Sequence, residues 1–179
     1  MPAPHKIFFF LLSFVSLTLH VHQQVTSASN GKIAMELMKT KTFDICFMDF
    51  LMPVMSGVDA IVQHYEWLLG DHDRTHNKDM LVVGLSESTT DDELKLVFNH
   101  GCHFFCTKPP ETHILSSIIS LKRQSADLEG AIAAIRDELD GRARCGYPTL
   151  AIDEKYLHLM QAGSCLPIGR RGLPGSICG

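Results

Sequence analysis

Ile45-Cys46-Phe47-Met48-Asp49-Phe50-Leu51-Met52-Pro53-Val54-Met55-Ser56-Gly57 is the stretch on which the reading of this chain turns. Its first four residues are an unbroken apolar run, which suits a strand buried on both faces rather than one with a wet side. The run ends on a carboxylate, Asp49. Met52-Pro53 must break the strand, because proline has no N–H to give to a ladder. Gly57 then opens a periodic stretch in which Val58, Ile61, Val62, Tyr65 and Leu68 form one apolar face. A buried strand, a turn carrying an acid and an amphipathic helix are pieces of a parallel α/β sheet.

Working outward, the same alternation continues on both sides. Residues 21–28 alternate apolar and polar as a short strand would, and Ser29-Asn30-Gly31 signals a turn and helix start. Ile33, Ala34, Leu37 and Met38 follow on one helical face, with lysines on the other. Residues 70–78 are polar and charged, a long surface loop, and residues 80–85 are strand-like again. Leu94, Val97 and Phe98 share a face of the next helix, whose first turn is acidic as the helix dipole favours. Residues 103–106 make a short strand before Lys108-Pro109-Pro110, and a helix from about Glu111 turns Ile114, Leu115, Ile118 and Leu121 inward. Beyond Gln124, Leu128, Ile132, Ile135 and Leu139 make a seam of under two heptads, equally suited to a dimerising helix and to one lying back on the domain. From residue 141 the tail is rich in Gly, Arg, Pro and Cys without pattern, and is expected to be disordered.

Composition narrows the function classes. The 179 residues are 45% hydrophobic and 20% charged, as in a globular domain of ordinary size plus a tail. A net charge of −4 lacks the basic excess of a nucleic-acid binder. The six cysteines form no C-x-x-C pair, so a structural zinc site is not indicated; His100, Cys102, His103 and Cys106 read as a short buried strand flanked by a loop. Reduced, buried cysteines suit a cytoplasmic protein. Against that, Lys6 and the apolar residues 7–21, followed by Thr26-Ser27-Ala28, have the layout of a secretory signal peptide. No catalytic triad, P-loop or glycine-rich nucleotide pattern is present, and nothing suggests a small-molecule substrate, so the chain does not read as an enzyme.

Three groups stand at the ends of three successive strands: Asp49, Ser86 after Val82-Val83-Gly84-Leu85, and Lys108 after Phe104-Phe105-Cys106-Thr107. That edge of an open α/β sheet is where ligands bind. A carboxylate there can attack phosphorus, while a hydroxyl and an ammonium hold the transferred oxygens and offset their charge.

The Asp-x-x-Met-Pro-x-Met-x-Gly run, the hydroxyl residue ending the next strand and Lys108-Pro109 after the last together resemble the receiver domain of response regulators and hybrid histidine kinases. Residues 29–37 resemble that family's Asn/Asp-Gly helix start. The resemblance covers residues 21–124 and implies a flavodoxin-like, doubly wound parallel sheet of strand order 2-1-3-4-5. It implies that Asp49 is the phosphoacceptor and that the Ser86 hydroxyl turns toward the phosphoryl group. It further implies that Lys108 pairs with that group across a cis Lys108–Pro109 bond, and that the Leu51 carbonyl joins Asp49 as a magnesium ligand. Phe105 stands at the position of an aromatic switch, with ordinary core as the equal alternative. A histidine kinase or histidine phosphotransfer protein is the implied partner.

The sequence departs from this family at its start. Receivers carry an acidic pair after the first strand, yet no Asp or Glu precedes Glu36, and His5 and Lys6 occupy the place found by counting back. If residues 7–12 were the strand, only residues 13–20 would remain for a crossover that needs at least ten to twelve. By length, residues 7–19 fill the place of the first helix and the first strand is absent. The expected organisation is therefore a signal-like or first-helix-like segment at 1–20, an N-terminally incomplete receiver at 21–124, a helical extension at 125–140 and a tail at 141–179. Magnesium binding is expected to be weak or absent. The alternatives to a phosphate-accepting module are an interaction module of the same fold without phosphorylation, and a secreted protein derived from a receiver.

Overall fold

The computed structural model describes residues 6–9, 24–69, 77–87 and 90–144. Five strands, β1 Lys6–Phe9, β2 Gln24–Ser27, β3 Ile45–Asp49, β4 Leu81–Ser86 and β5 Phe104–Thr107, form one parallel sheet in the order β2-β1-β3-β4-β5. The helices are α1 Gly31–Thr40, α2 Gly57–Leu69, α3 Asp91–Asn99, α4 Thr112–Gln124 and α5 Leu128–Arg144.

Every residue of β3 and β4 is buried, as their unbroken apolar runs require. The crossovers from β2 to β3, β3 to β4 and β4 to β5 all step the same way across the sheet. Right-handed connections then put α1, α2 and α3 on one face, where α1 packs on α2 and α2 on α3. Strands buried on both sides need cover on the other face too. Ile114, Leu115, Ile118 and Ile119 of α4 and Ile135 of α5 join the same core.

Local signals explain where the helices begin. Asn30 caps α1 by accepting the Ile33 N–H at 2.9 Å. Thr90 and Glu93 make a reciprocal capping box at α3. The buried face of α1 is Ala34, Met35 and Met38, rotated from the expected one, so that Ile33 is outward and 43% exposed.

The first strand, expected to be missing, is present. β1 lies between β2 and β3 and pairs with both, Ile7 opposite Val25 and Ile45. The chain has room for it because the strand stops at Phe9, well before its apolar run ends. Residues 10–23 then separate β1 from β2, long enough for a crossover. A helix beginning at Ile7 is likewise excluded. The rest of the signal-like segment, residues 1–5 and 10–23, lies outside the described residues, as do most of the expected loop at 70–78 and the tail beyond Arg144.

The extension past Gln124 is a separate helix, not a continuation of α4. Ser125 closes α4 through its N–H to the Leu121 carbonyl at 3.1 Å, and Asp127 starts α5 by accepting the Gly130 N–H at 2.7 Å. α5 folds back on α4. Ala131 and Ile135 are fully buried, and Leu128 and Ile132 pack against the core, so these seam residues serve the chain's own interior.

Candidate functional site

Parallel strands deliver their C-terminal ends to one edge. The register sets Asp49 opposite Leu85 and Ser86 opposite Thr107. The pairing continues one residue further, with the Phe50 N–H donating to the Leu85 carbonyl at 2.9 Å and the Lys108 N–H to the Ser86 carbonyl at 2.9 Å. Asp49, Ser86 and Lys108 are thus fixed by the sheet itself, from three different strands.

Asp49 is 4% exposed. Its Oδ1 accepts the Leu51 N–H at 2.9 Å, and its Oδ2 lies 2.5 Å from the Lys108 ammonium. The lysine side chain is also mostly enclosed, at 15% exposure. Charge pairs in such surroundings are screened far less than surface pairs, so each partner holds the other in place. Ser86 is fully buried at the end of β4. The Lys108–Pro109 bond is cis, as the resemblance implied.

Two glycines let the backbone close around this point. A Cβ on Gly57 would collide with the carbonyl of Asp49, so the glycine ending the motif lets α2 start directly against the acid. Gly84, in the middle of β4, leaves room for the ring of Phe50, which a Cβ there would strike. Phe50 in turn stacks on Phe105, with centroids 5.8 Å apart and planes at 29°. Phe105 is 2% exposed and opposite Gly84 in the ladder. The sequence pointed to Phe105 but missed Phe50 as its neighbour. The signal was available, because a glycine inside an apolar strand often marks a close approach.

The donor set does not fit a divalent cation of the magnesium kind. Such an ion wants six near-octahedral oxygens, usually including one or two carboxylates. Asp49 offers one carboxylate, each of whose oxygens already carries one contact, an N–H and an ammonium, and it can supply only a small part of such a shell. Apolar Phe10 and Leu11 follow β1 in sequence where the acidic pair would stand. Among the described residues, no group of three or more His, Cys, Asp or Glu side chains could hold a metal. Leu51, whose carbonyl was an expected ligand, presents a side chain that is 65% exposed.

The His100–Cys106 cluster also remains structural. Cys102 and Cys106 are buried, and burial pushes the Cys106 pKa up to about 12, far from a reactive thiolate. His103 accepts the Val82 N–H on Nδ1 at 3.0 Å. It thereby serves the sheet at the end opposite Asp49.

Comparison with known proteins agrees with this geometry. The family model for the response regulator receiver domain matches residues 11–120. Hybrid signal transduction histidine kinase K of Dictyostelium discoideum is 27% identical over 100 residues, covering 52% of this chain and 8% of the kinase. The chain therefore spans only a small part of that relative. Among solved structures, a CheY-like receiver domain protein from Methanospirillum hungatei superposes with a TM-score of 0.59 at 13% identity, covering 76% of this chain and 99% of that one. The receiver domain of Saccharomyces cerevisiae Ssk1, crystallised with the histidine phosphotransfer protein Ypd1, does so with a TM-score of 0.56 at 21% identity, covering 66% and 88%. At these identities the structural matches speak for the fold.

Proposed function

Because the chain belongs to the response regulator receiver domain family, we propose that it serves phosphorelay signalling, with Asp49 accepting a phosphoryl group from a histidine kinase or histidine phosphotransfer protein. The observation that carries this reading is the enclosed Asp49–Lys108 pair, with Oδ2 and Nζ 2.5 Å apart. A phosphohistidine presents phosphorus bonded to nitrogen. Attack by a carboxylate oxygen of Asp49 forms the O–P bond as the N–P bond breaks, its electron pair staying on the ring nitrogen; the donor leaves as neutral imidazole, the proton being already on its other ring nitrogen or taken from water. The Lys108 ammonium already sits where negative charge then collects, so it offsets that charge without rearrangement. Ser86 is placed at the same edge to offer its hydroxyl. Phe105, stacked on Phe50, the residue after Asp49, is the route by which a change at the acid would reach the edge strand β5.

Magnesium has no part in this proposal, and we expect its binding to be weak or absent. The test is labelling of the whole chain by radioactive acetyl phosphate, with magnesium or with a chelator, in wild type and Asp49→Asn. Slow labelling that depends on Asp49 and changes little between the two conditions is expected. Fast labelling that the chelator abolishes would overturn the metal-free site. No labelling in a folded protein would favour the second reading, an interaction module that keeps the Asp49–Lys108 pair as structure. The donor set that fails to fit a cation is what favours that second reading.

The buried, reduced Cys46 and Cys106 support a cytoplasmic location. No helix among the described residues is long and apolar enough to cross a membrane. A mature chain beginning after Ala28 would instead place it in the secretory pathway, and would remove both β1 and β2. The use of Ala131 and Ile135 in the chain's own core supports a monomer over a dimer built on α5.

A further inference from the structure

We propose that α4 and α5 are joined by a hinge that straightens, so that two copies of this chain exchange α5 and form an antiparallel dimer, each α5 covering the α4 of the other copy. This self-association is independent of any phosphoryl chemistry at Asp49.

Three residues, Ser125, Ala126 and Asp127, separate the two helices. A helix with a firm stop commonly ends on glycine, which turns the chain through a left-handed conformation, or runs into proline, which cannot continue it. The connector has neither. Ser125 interrupts the helix only through an extended backbone, φ −87° and ψ 140°, open to any residue. Alanine is the strongest helix former, and serine and aspartate are tolerated in helix interiors.

The apolar pattern ignores the break. Leu121, Ser125, Leu128, Ile132, Ile135 and Leu139 stand four and three residues apart in strict alternation, from within α4, through the connector, into α5. A turn resets the rotation of the helix that follows it, so a hairpin has no need for its two stripes to share a phase. A continuous helix does need it, because only then do both halves present one face to a partner. Straightened, residues 112–144 would span about 50 Å.

Burial decides what the opened helix meets. Ala131 and Ile135 are fully buried, and Leu128 and Ile132 pack against the core. Moving them into water would forfeit that burial, so α5 leaves its own α4 only for an identical surface. A second copy supplies one. The short connection sets α4 and α5 antiparallel, and two straight helices crossing near Ala126 on a two-fold axis keep the same contacts between chains. A short connector holds α5 over its own α4 at an effective concentration of about a millimolar. The closed monomer is therefore the dilute form, and exchange grows as the chain approaches that concentration.

The experiment is light scattering on the full-length, reduced chain from micromolar up to about a millimolar, for wild type, Ser125→Leu/Asp127→Ala and Ala126→Pro. The double substitution fills the gap in the stripe and removes the Asp127 cap. It should raise the dimer share of a dilute sample by about tenfold or more. Ala126→Pro bars the continuous helix yet suits the hairpin, because Ser125 already has the backbone that a residue before proline takes. That variant should stay monomeric throughout. Mixing isotope-labelled and unlabelled chains identifies the contact, since methyl groups of α4 and α5 should then give NOEs between chains in the dimer. Should the double variant fail to fold, concentrated wild type carries the same test. The proposal is overturned by monomers at every concentration in both, by a dimer without α4–α5 NOEs between chains, or by a dimer that Ala126→Pro forms equally well.

Discussion

The amide of Asn77 ties together the end of the sheet opposite Asp49. Its Oδ1 accepts the Phe43 N–H at 2.6 Å, and its Nδ2 donates to the carbonyls of Met38 at 2.7 Å and Lys41 at 2.9 Å. One side chain thus closes the exit of α1 onto the entry of β3. Its own φ of +54° is one that asparagine tolerates and alanine resists. Asn77→Ala should therefore cost about 2–4 kcal/mol of stability in urea unfolding, because buried backbone groups lose partners and the backbone is strained. A loss under about 1 kcal/mol would mean that water replaces the amide. Nothing in the sequence marked this residue, which sits in a polar stretch and meets carbonyls over thirty positions away. Asp49, Ser86 and Lys108 were legible for the opposite reason. Each stands at or just past the end of an apolar run, and parallel strands bring such ends together.

At the scale of elements, periodicity identified the helices well, because a 3.6-residue stripe survives small errors at its ends. It failed at β1. A continuous apolar run shows no boundary between a strand and the segment after it, so a four-residue strand was hidden inside a longer stretch. The seam on α5 was equally ambiguous, since a short apolar stripe serves a partner helix and a neighbouring one alike. The fold resolves it, with Ile135 fully buried and part of the main core. Ile135→Ala should then lower stability by about 2–4 kcal/mol, as cavity-forming substitutions in a core do, without a concentration dependence in the unfolding midpoint. A midpoint that rises with protein concentration in wild type and not in Ile135→Ala would show that the seam is intermolecular after all.

The molecule as a whole should lose stability on mild acidification, and His103 gives the sign. Burial pushes its pKa down to about 4; the charge of Lys122 pushes the same way, and a backbone contact with Val82 opposes them. In the unfolded chain the imidazole takes up its proton near pH 6.5. Between about 6.5 and 4 the unfolded state therefore binds a proton that the folded state refuses, and stability falls as pH falls. Above that window the contribution is fully present. Below it both states are protonated, and this residue adds no further slope. Because the side chain is only half-buried, the total is set at roughly 1–3 kcal/mol rather than the full value of the shift. The structural cost of protonation is specific. Nδ1 accepts the Val82 N–H at 3.0 Å, and a protonated imidazole cannot accept it, so the start of β4 loses a backbone partner while a second positive charge appears beside Lys122. His103→Gln keeps an acceptor and cannot titrate. Urea unfolding of wild type and His103→Gln at a series of pH values from about 7.5 to about 4 isolates its share. The wild-type midpoint should drop through the window, and the variant should drop less by the amount that His103 contributes. Parallel curves would show that other groups set the acid response instead.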